Sequence, residues 1–138
     1  MTGQALNPSL ITNLSNPGGL VLDGLGFMYV STLNQVGKYS LSGAAVNGSL
    51  ISNGRNSGIG LALDGLGHLF WANNFGGAGG NVIGEYTILG SQINTSLITG
   101  LSNPVAILIV PEPQTVSLLA SGAIAFLGFL RMMASNSK

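Results

Sequence analysis

The apolar positions of this chain fall into short runs, each closed by glycine, asparagine or serine, and the runs recur. Gly19-Leu20-Val21-Leu22 and Gly60-Leu61-Ala62-Leu63 are apolar stretches suited to a strand buried on both faces. Each leads into Asp-Gly-Leu-Gly, at residues 23–26 and 64–67. That sequence makes a turn, because glycine takes positive φ freely and an aspartate carboxylate caps the turned backbone. Phe27-Met28-Tyr29-Val30 and His68-Leu69-Phe70-Trp71 follow, rich in the aromatic residues that strands prefer. After a loop come residues 36–41 and 82–88, and then a Ser-Leu-Ile strand. The pattern predicts units of four short antiparallel strands, each unit about 40 residues long.

The units repeat in sequence as well as in pattern. Asn7-Pro8-Ser9-Leu10-Ile11 returns as Asn47-Gly48-Ser49-Leu50-Ile51 and as Asn94-Thr95-Ser96-Leu97-Ile98, at offsets of 40 and 47 residues. Leu22-Asp23-Gly24-Leu25-Gly26 returns 41 residues later, and Val36-Gly37-Lys38-Tyr39 matches Ile83-Gly84-Glu85-Tyr86 at offset 47. The difference lies in the Gly-rich stretch at residues 74–80, a loop insertion in the second copy with no phosphate-binding signature. Copies run near residues 7–46, 47–93 and 94–109. The third breaks off at Val110, which stands where Asp23 and Asp64 stood.

Composition narrows the function classes. Only 6% of residues are charged and the net charge is 0, so no basic patch points to nucleic acid and no acidic tract to a cation array. There are no cysteines, which excludes disulfides and thiolate metal sites. Glycine accounts for 22 of 138 residues, so turns are frequent and long helices are not expected before the C-terminal segment.

The unit resembles the NHL-type and gluconolactonase-type β-propeller repeat: an Asn-Pro or Pro-Gly lead-in, an apolar strand, Asp-x-x-Gly and an aromatic strand. The resemblance covers about residues 5–109. It implies a mostly β fold, an incomplete propeller-like array of about 2.5 four-stranded repeats. Two departures stand out. Ser31-Thr32 and Ala72-Asn73 occupy the place where the family's second strand often ends in an acid. The copy number is also below the four or so blades of closed propellers. The resemblance also carries an alternative function, that of a lactonase-like propeller hydrolase of which this chain is a part.

The C-terminal segment has a different pattern. Val110-Pro111-Glu112-Pro113 precedes an apolar run at residues 116–130, and Arg131 follows it. The prolines cannot continue a helix and hold the backbone extended. The run lacks the polar stripe of a surface helix. Extended through Met132 and Met133 it approaches the ~20 residues a bilayer needs, with Arg131 snorkelling. A transmembrane helix is therefore expected at about residues 115–133, with Arg131 and Lys138 on the cytoplasmic side and the repeats outside. This arrangement resembles the PEP-CTERM sorting tail of exported bacterial proteins. By that resemblance Val110, Pro111, Glu112, Pro113 and Arg131 form the sorting motif. The partner is then an exosortase-type membrane enzyme, and the destination is the cell surface or an exopolysaccharide-bearing matrix. The family usually carries an arginine cluster where this chain has Arg131 followed by two methionines. Residues 1–10 lack the basic and apolar regions of a secretory signal, so a fragment or a misplaced start is expected.

Candidate chemistry is sparse. His68 is the single histidine, and Asp64 lies four residues before it across the turn. The first copy carries Phe27 at that position, which favours packing over catalysis. Asp23 and Asp64 read as turn caps, since a hard-cation site needs several converging oxygens and the chain holds four acids in all. No catalytic residue, metal or cofactor is predicted. Trp71, Phe75 and Tyr86 are the candidate ligand contacts, through stacking on sugar rings, with packing between repeats as the competing role.

Overall fold

The computed structural model describes residues 6–52, 58–74 and 81–110. They hold eight β-strands and, among the described residues, no helix. The strands are β1 (Leu20–Leu22), β2 (Phe27–Ser31), β3 (Gln35–Ser40), β4 (Ala45–Ser52), β5 (Gly58–Leu63), β6 (His68–Asn73), β7 (Val82–Thr87) and β8 (Gln92–Ile98). They form two four-stranded antiparallel meanders, β1-β2-β3-β4 and β5-β6-β7-β8. Among the described residues no helix is long and apolar enough to cross a membrane. The segment expected to do so, about residues 115–133, lies outside them, as do Pro111, Glu112, Pro113 and Arg131.

The turns explain the meanders. Gly24 and Gly26 adopt φ of 71° and 101°, and Gly65 and Gly67 adopt 75° and 102°. A side chain at any of these positions would strain the hairpin that joins β1 to β2 or β5 to β6. Asp23 Oδ1 accepts from the Leu25 and Phe27 N–H groups at 2.8 and 3.0 Å, and Asp64 Oδ1 does the same for Leu66 and His68 at 2.7 and 3.0 Å. The repeated motif is thus one carboxylate-capped turn built twice.

Register decides which side chains share a face. Val21 pairs with Tyr29, and Tyr29 pairs with Lys38, so these lie on the face of the first sheet turned to the second. Leu61 pairs with Trp71 and Leu69 with Tyr86, which sets them on the facing side of the second sheet. The main core is the layer between: Tyr29, Val36 and Ile51 from one sheet, Leu61, Leu69, Trp71 and Tyr86 from the other. The first sheet's opposite face forms a second cluster of Met28, Val30 and Tyr39, covered by Ile11 and Leu14. Ser31 stitches the two sheets, donating through Oγ to the Ile59 carbonyl at 2.9 Å while accepting from the Gly19 N–H at 2.7 Å.

Gly58 makes room for Trp71. A methyl there would overlap the indole ring. Gly58→Ala is therefore expected to cost about 1–3 kcal/mol through overpacking. The check is a lower urea midpoint with an unchanged denaturant slope.

Candidate functional site

The single histidine sits in a cluster of titratable side chains at the Asp-Gly-Leu-Gly end of the second sheet. Asp64 precedes the turn, His68 opens β6, and Glu85 lies on β7 opposite Phe70, two ladder positions from His68 and on its face. His68 Nδ1 stands 2.7 Å from Asp64 Oδ2 and 3.7 Å from Glu85 Oε1. The carboxylates are sheltered, at 15% and 17% side-chain exposure, whereas the imidazole is 41% exposed.

Burial desolvates the Asp64 carboxylate, which works to raise its pKa. The His68 and Leu66 N–H groups, and the His68 side chain by hydrogen bond and charge, outweigh that and hold the pKa below its ordinary 3.8. An ionised carboxylate only accepts, so Nδ1–H is the donor to Asp64. Asp23 follows the same logic: desolvation raises its pKa, while the Leu25 and Phe27 N–H groups, the Lys38 charge and the Tyr29 hydroxyl lower it further than burial raises it. Lys38 also stands 4.2 Å above the Phe27 ring and 5.2 Å from the Tyr29 ring. At the equivalent positions of the second sheet the lysine becomes Glu85 and the phenylalanine becomes His68. One repeat position thus carries a cation over an aromatic ring in the first copy and an acid beside an imidazole in the second.

Because folding lowers both aspartate pKa values below 3.8, their stabilisation is complete above that pH and is lost as pH falls through the folded values. Unfolding by urea at neutral pH and in acid should show this. Asp64→Asn should be less stable than wild type near neutrality, with the gap closing in acid.

A His held by an acid is the orienting half of a nucleophile-base-acid triad. The hydroxyl opposite His68 on the ladder belongs to Thr87, but its Oγ1 accepts the Ser91 N–H at 3.0 Å and caps the β7–β8 turn. Ser40 Oγ does the same for Ala44 at 3.1 Å in the first sheet. The hydrogen bonds of Asp64 to the His68 N–H and ring hold the turn to the start of β6, with Glu85 close by at 3.7 Å. Among the described residues, no group of three or more His, Asp or Glu side chains can hold a metal ion.

No family model, curated protein or solved structure matches the chain. An open groove of about 170 Å³ runs between the two turns, lined by Leu22, Asp23, Leu25, Leu63 and Ile88 together with turn glycines. Its single carboxylate, Asp23, is already engaged by the turn it caps.

Two of the three aromatic candidates for ligand contact, Trp71 and Tyr86, lie inside the protein. Trp71 is 0% exposed and Tyr86 1%. Their rings lie 6.2 Å apart in the layer between the sheets and present no face to a sugar. Both point inward because alternation places Leu69, Trp71 and Tyr86 on the side that meets the first sheet. Phe75 lies outside the described residues. Sequence reasoning passed over Glu85, whose place beside His68 depends on the β6–β7 register across the inserted loop. Its equivalence to Lys38 was the available signal. Val110, the first residue of the expected sorting motif, is 73% exposed.

Proposed function

We propose that this chain is an exported, non-enzymatic surface or extracellular-matrix protein whose C-terminal tail anchors it transiently in the membrane until an exosortase-type enzyme removes it. The observation that carries this reading is an order of segments. The repeat breaks off at Val110, and Pro111-Glu112-Pro113, an apolar run at residues 116–130 and Arg131 follow without interruption. An extended Pro-flanked handle, a membrane-length segment and a basic stop together suit presentation of a peptide to a membrane-embedded enzyme.

On this reading the two sheets are successive blades of a propeller-like array, and residues 105–109 begin a third. Supporting it, Gly60 abuts Val105 and Ala106 much as Gly19 abuts Ile59, each glycine facing the equivalent carbonyl of the next repeat. The repeats then serve as the structural or binding module delivered to an exopolysaccharide-bearing matrix. Loss of the segment after the motif, dependent on an exosortase-type enzyme and on Pro111, Glu112 and Pro113, is the test.

A further inference from the structure

We infer that the Asp-Gly-Leu-Gly end of the two sheets lies against a lipid bilayer, with the leucines of its turns entering the headgroup boundary. The turns described at this end each present a leucine to solvent: Leu25 at 76%, Leu41 at 54%, Leu66 at 84% and Leu89 at 78% exposure. The Leu41 N–H donates to the Gly26 carbonyl at 3.3 Å, and the Ile88 N–H to the Gly67 carbonyl at 3.0 Å. These bonds tie the β3–β4 and β7–β8 turns to the same end. Single exposed leucines are ordinary on a protein surface; a row of them at one end is not. The groove between the two Asp-Gly-Leu-Gly turns adds Leu22, Leu63 and Ile88 to the row. The charges nearby are already engaged. Asp23 and Asp64 each accept two turn N–H groups, Asp64 also holds His68, and the Lys38 ammonium stands over the Phe27 ring.

The course of the chain names the occupant. Asn103 accepts a hydrogen bond from Asn74, which follows β6 at the opposite end of the sheet. Val105 and Ala106 then lie against Gly60, midway along β5. The segment therefore runs beside β5 toward the turns, and Val110 stands as many residues past Ala106 as Asp64 stands past Gly60. The chain thus leaves for its C-terminal segment from the end that carries the leucines. Five residue steps, at most about 18 Å of extended chain, separate Val110 from the membrane segment expected from residue 115. An apolar end held that close to a bilayer has the bilayer as its nearest apolar phase. This step rests on the proposed membrane anchor; the apolar row does not. A few leucines bind a bilayer only weakly without a second attachment. The contact therefore orients the repeats and the Pro111–Pro113 handle while the tail is in place, and is lost once the tail is cut.

The test uses the full chain in phosphatidylcholine vesicles whose acyl chains carry bromine, a contact quencher of fluorescence. The chain has no cysteine, so a single introduced thiol takes the fluorophore. Ser42→Cys reports the turn end without removing a leucine, Asn34→Cys the opposite end, and Leu119→Cys the apolar run; Ser42 and Asn34 are both exposed. Bromine should quench the Leu119→Cys label most, the Ser42→Cys label clearly and the Asn34→Cys label least. Adding Leu25→Asp and Leu66→Asp should bring Ser42→Cys quenching down to the Asn34→Cys level and leave Leu119→Cys quenched. An unchanged far-UV circular dichroism spectrum checks that the aspartates leave the sheets folded. Quenching at Leu119→Cys, with Ser42→Cys no more quenched than Asn34→Cys, overturns the inference and spares the anchor. Ser42→Cys quenching that the aspartates leave unaltered overturns it too. So does a Ser42→Cys label shielded from aqueous iodide but untouched by bromine, the mark of a second copy at this end. An unquenched Leu119→Cys label contradicts the anchor instead, and the inference then stands or falls by Ser42→Cys alone.

Discussion

Trp71→Ala is expected to abolish cooperative folding. The indole is fully buried and reaches across the layer between the sheets, among Tyr29, Val36 and Ile51 on one side and Leu61, Leu69 and Tyr86 on its own. Removing a buried tryptophan typically costs about 3–5 kcal/mol, from lost transfer energy and the cavity left behind. Small domains hold only about 5–15 kcal/mol in total. Among the described residues the other buried cluster, Met28, Val30 and Tyr39, is smaller than the layer Trp71 fills. Trp71→Phe separates loss of volume from loss of the ring. Among the described residues Trp71 Nε1 has no hydrogen-bond partner, so phenylalanine forfeits no polar contact and retains most of the packing. Far-UV circular dichroism during urea unfolding should show a sharp transition for wild type, a shifted one for Trp71→Phe and none for Trp71→Ala. An unchanged midpoint for the alanine variant would remove Trp71 from the core.

Most of the strand pattern was legible because its punctuation is chemical. Asp-Gly-Leu-Gly specifies the same capped turn twice, and the flanking runs became β1, β2, β5 and β6 within a residue or two of their expected ends. The Ser-Leu-Ile segments proved to be the ends of β4 and β8, which begin several residues earlier. The first such segment, at residues 7–11, forms no strand, and neither does the apolar run at 105–109. A strand needs a paired neighbour to satisfy its backbone, and local propensity cannot supply one. These two segments keep the repeat's packing without its ladder.

The site was less legible. Trp71 and Tyr86 looked available for stacking because aromatic residues in a Gly-rich chain suit either role, and only the register shows that their face is the covered one. The bond between His68 and Asp64 was discounted on the evidence of Phe27 in the first copy. The repeats diverge at this point: one holds Lys38 over aromatic rings, the other holds Glu85 beside an imidazole. Equivalent backbone positions share geometry, and their side chains remain free to carry different electrostatics.

The largest effect expected on the protein's fate comes from three residues of the C-terminal segment, Pro111, Glu112 and Pro113. Pro111 and Pro113 lack the backbone N–H that strands and helices use, so a peptide containing them stays extended and accessible. Glu112 between them provides a charge just outside the apolar run. Replacing all three by alanine removes the extended constraint and the charge, and alanine favours extending the helix expected at about residues 115–133 backward into the motif. The apolar run and Arg131 remain, so the variant should still reach the membrane and should fail only at processing. That separation of anchoring from cutting distinguishes a sorting tail from an ordinary membrane anchor.

The most direct measurement is the mass of the chain, supplied with an export signal and produced together with an exosortase-type enzyme. The account predicts that wild type loses about 3 kDa, the share of its 14.0 kDa carried by residues 111–138, and leaves the membrane. The Pro111→Ala, Glu112→Ala, Pro113→Ala variant should keep its full mass and stay membrane-bound. Wild type and variant remaining equally intact in the membrane would contradict the account.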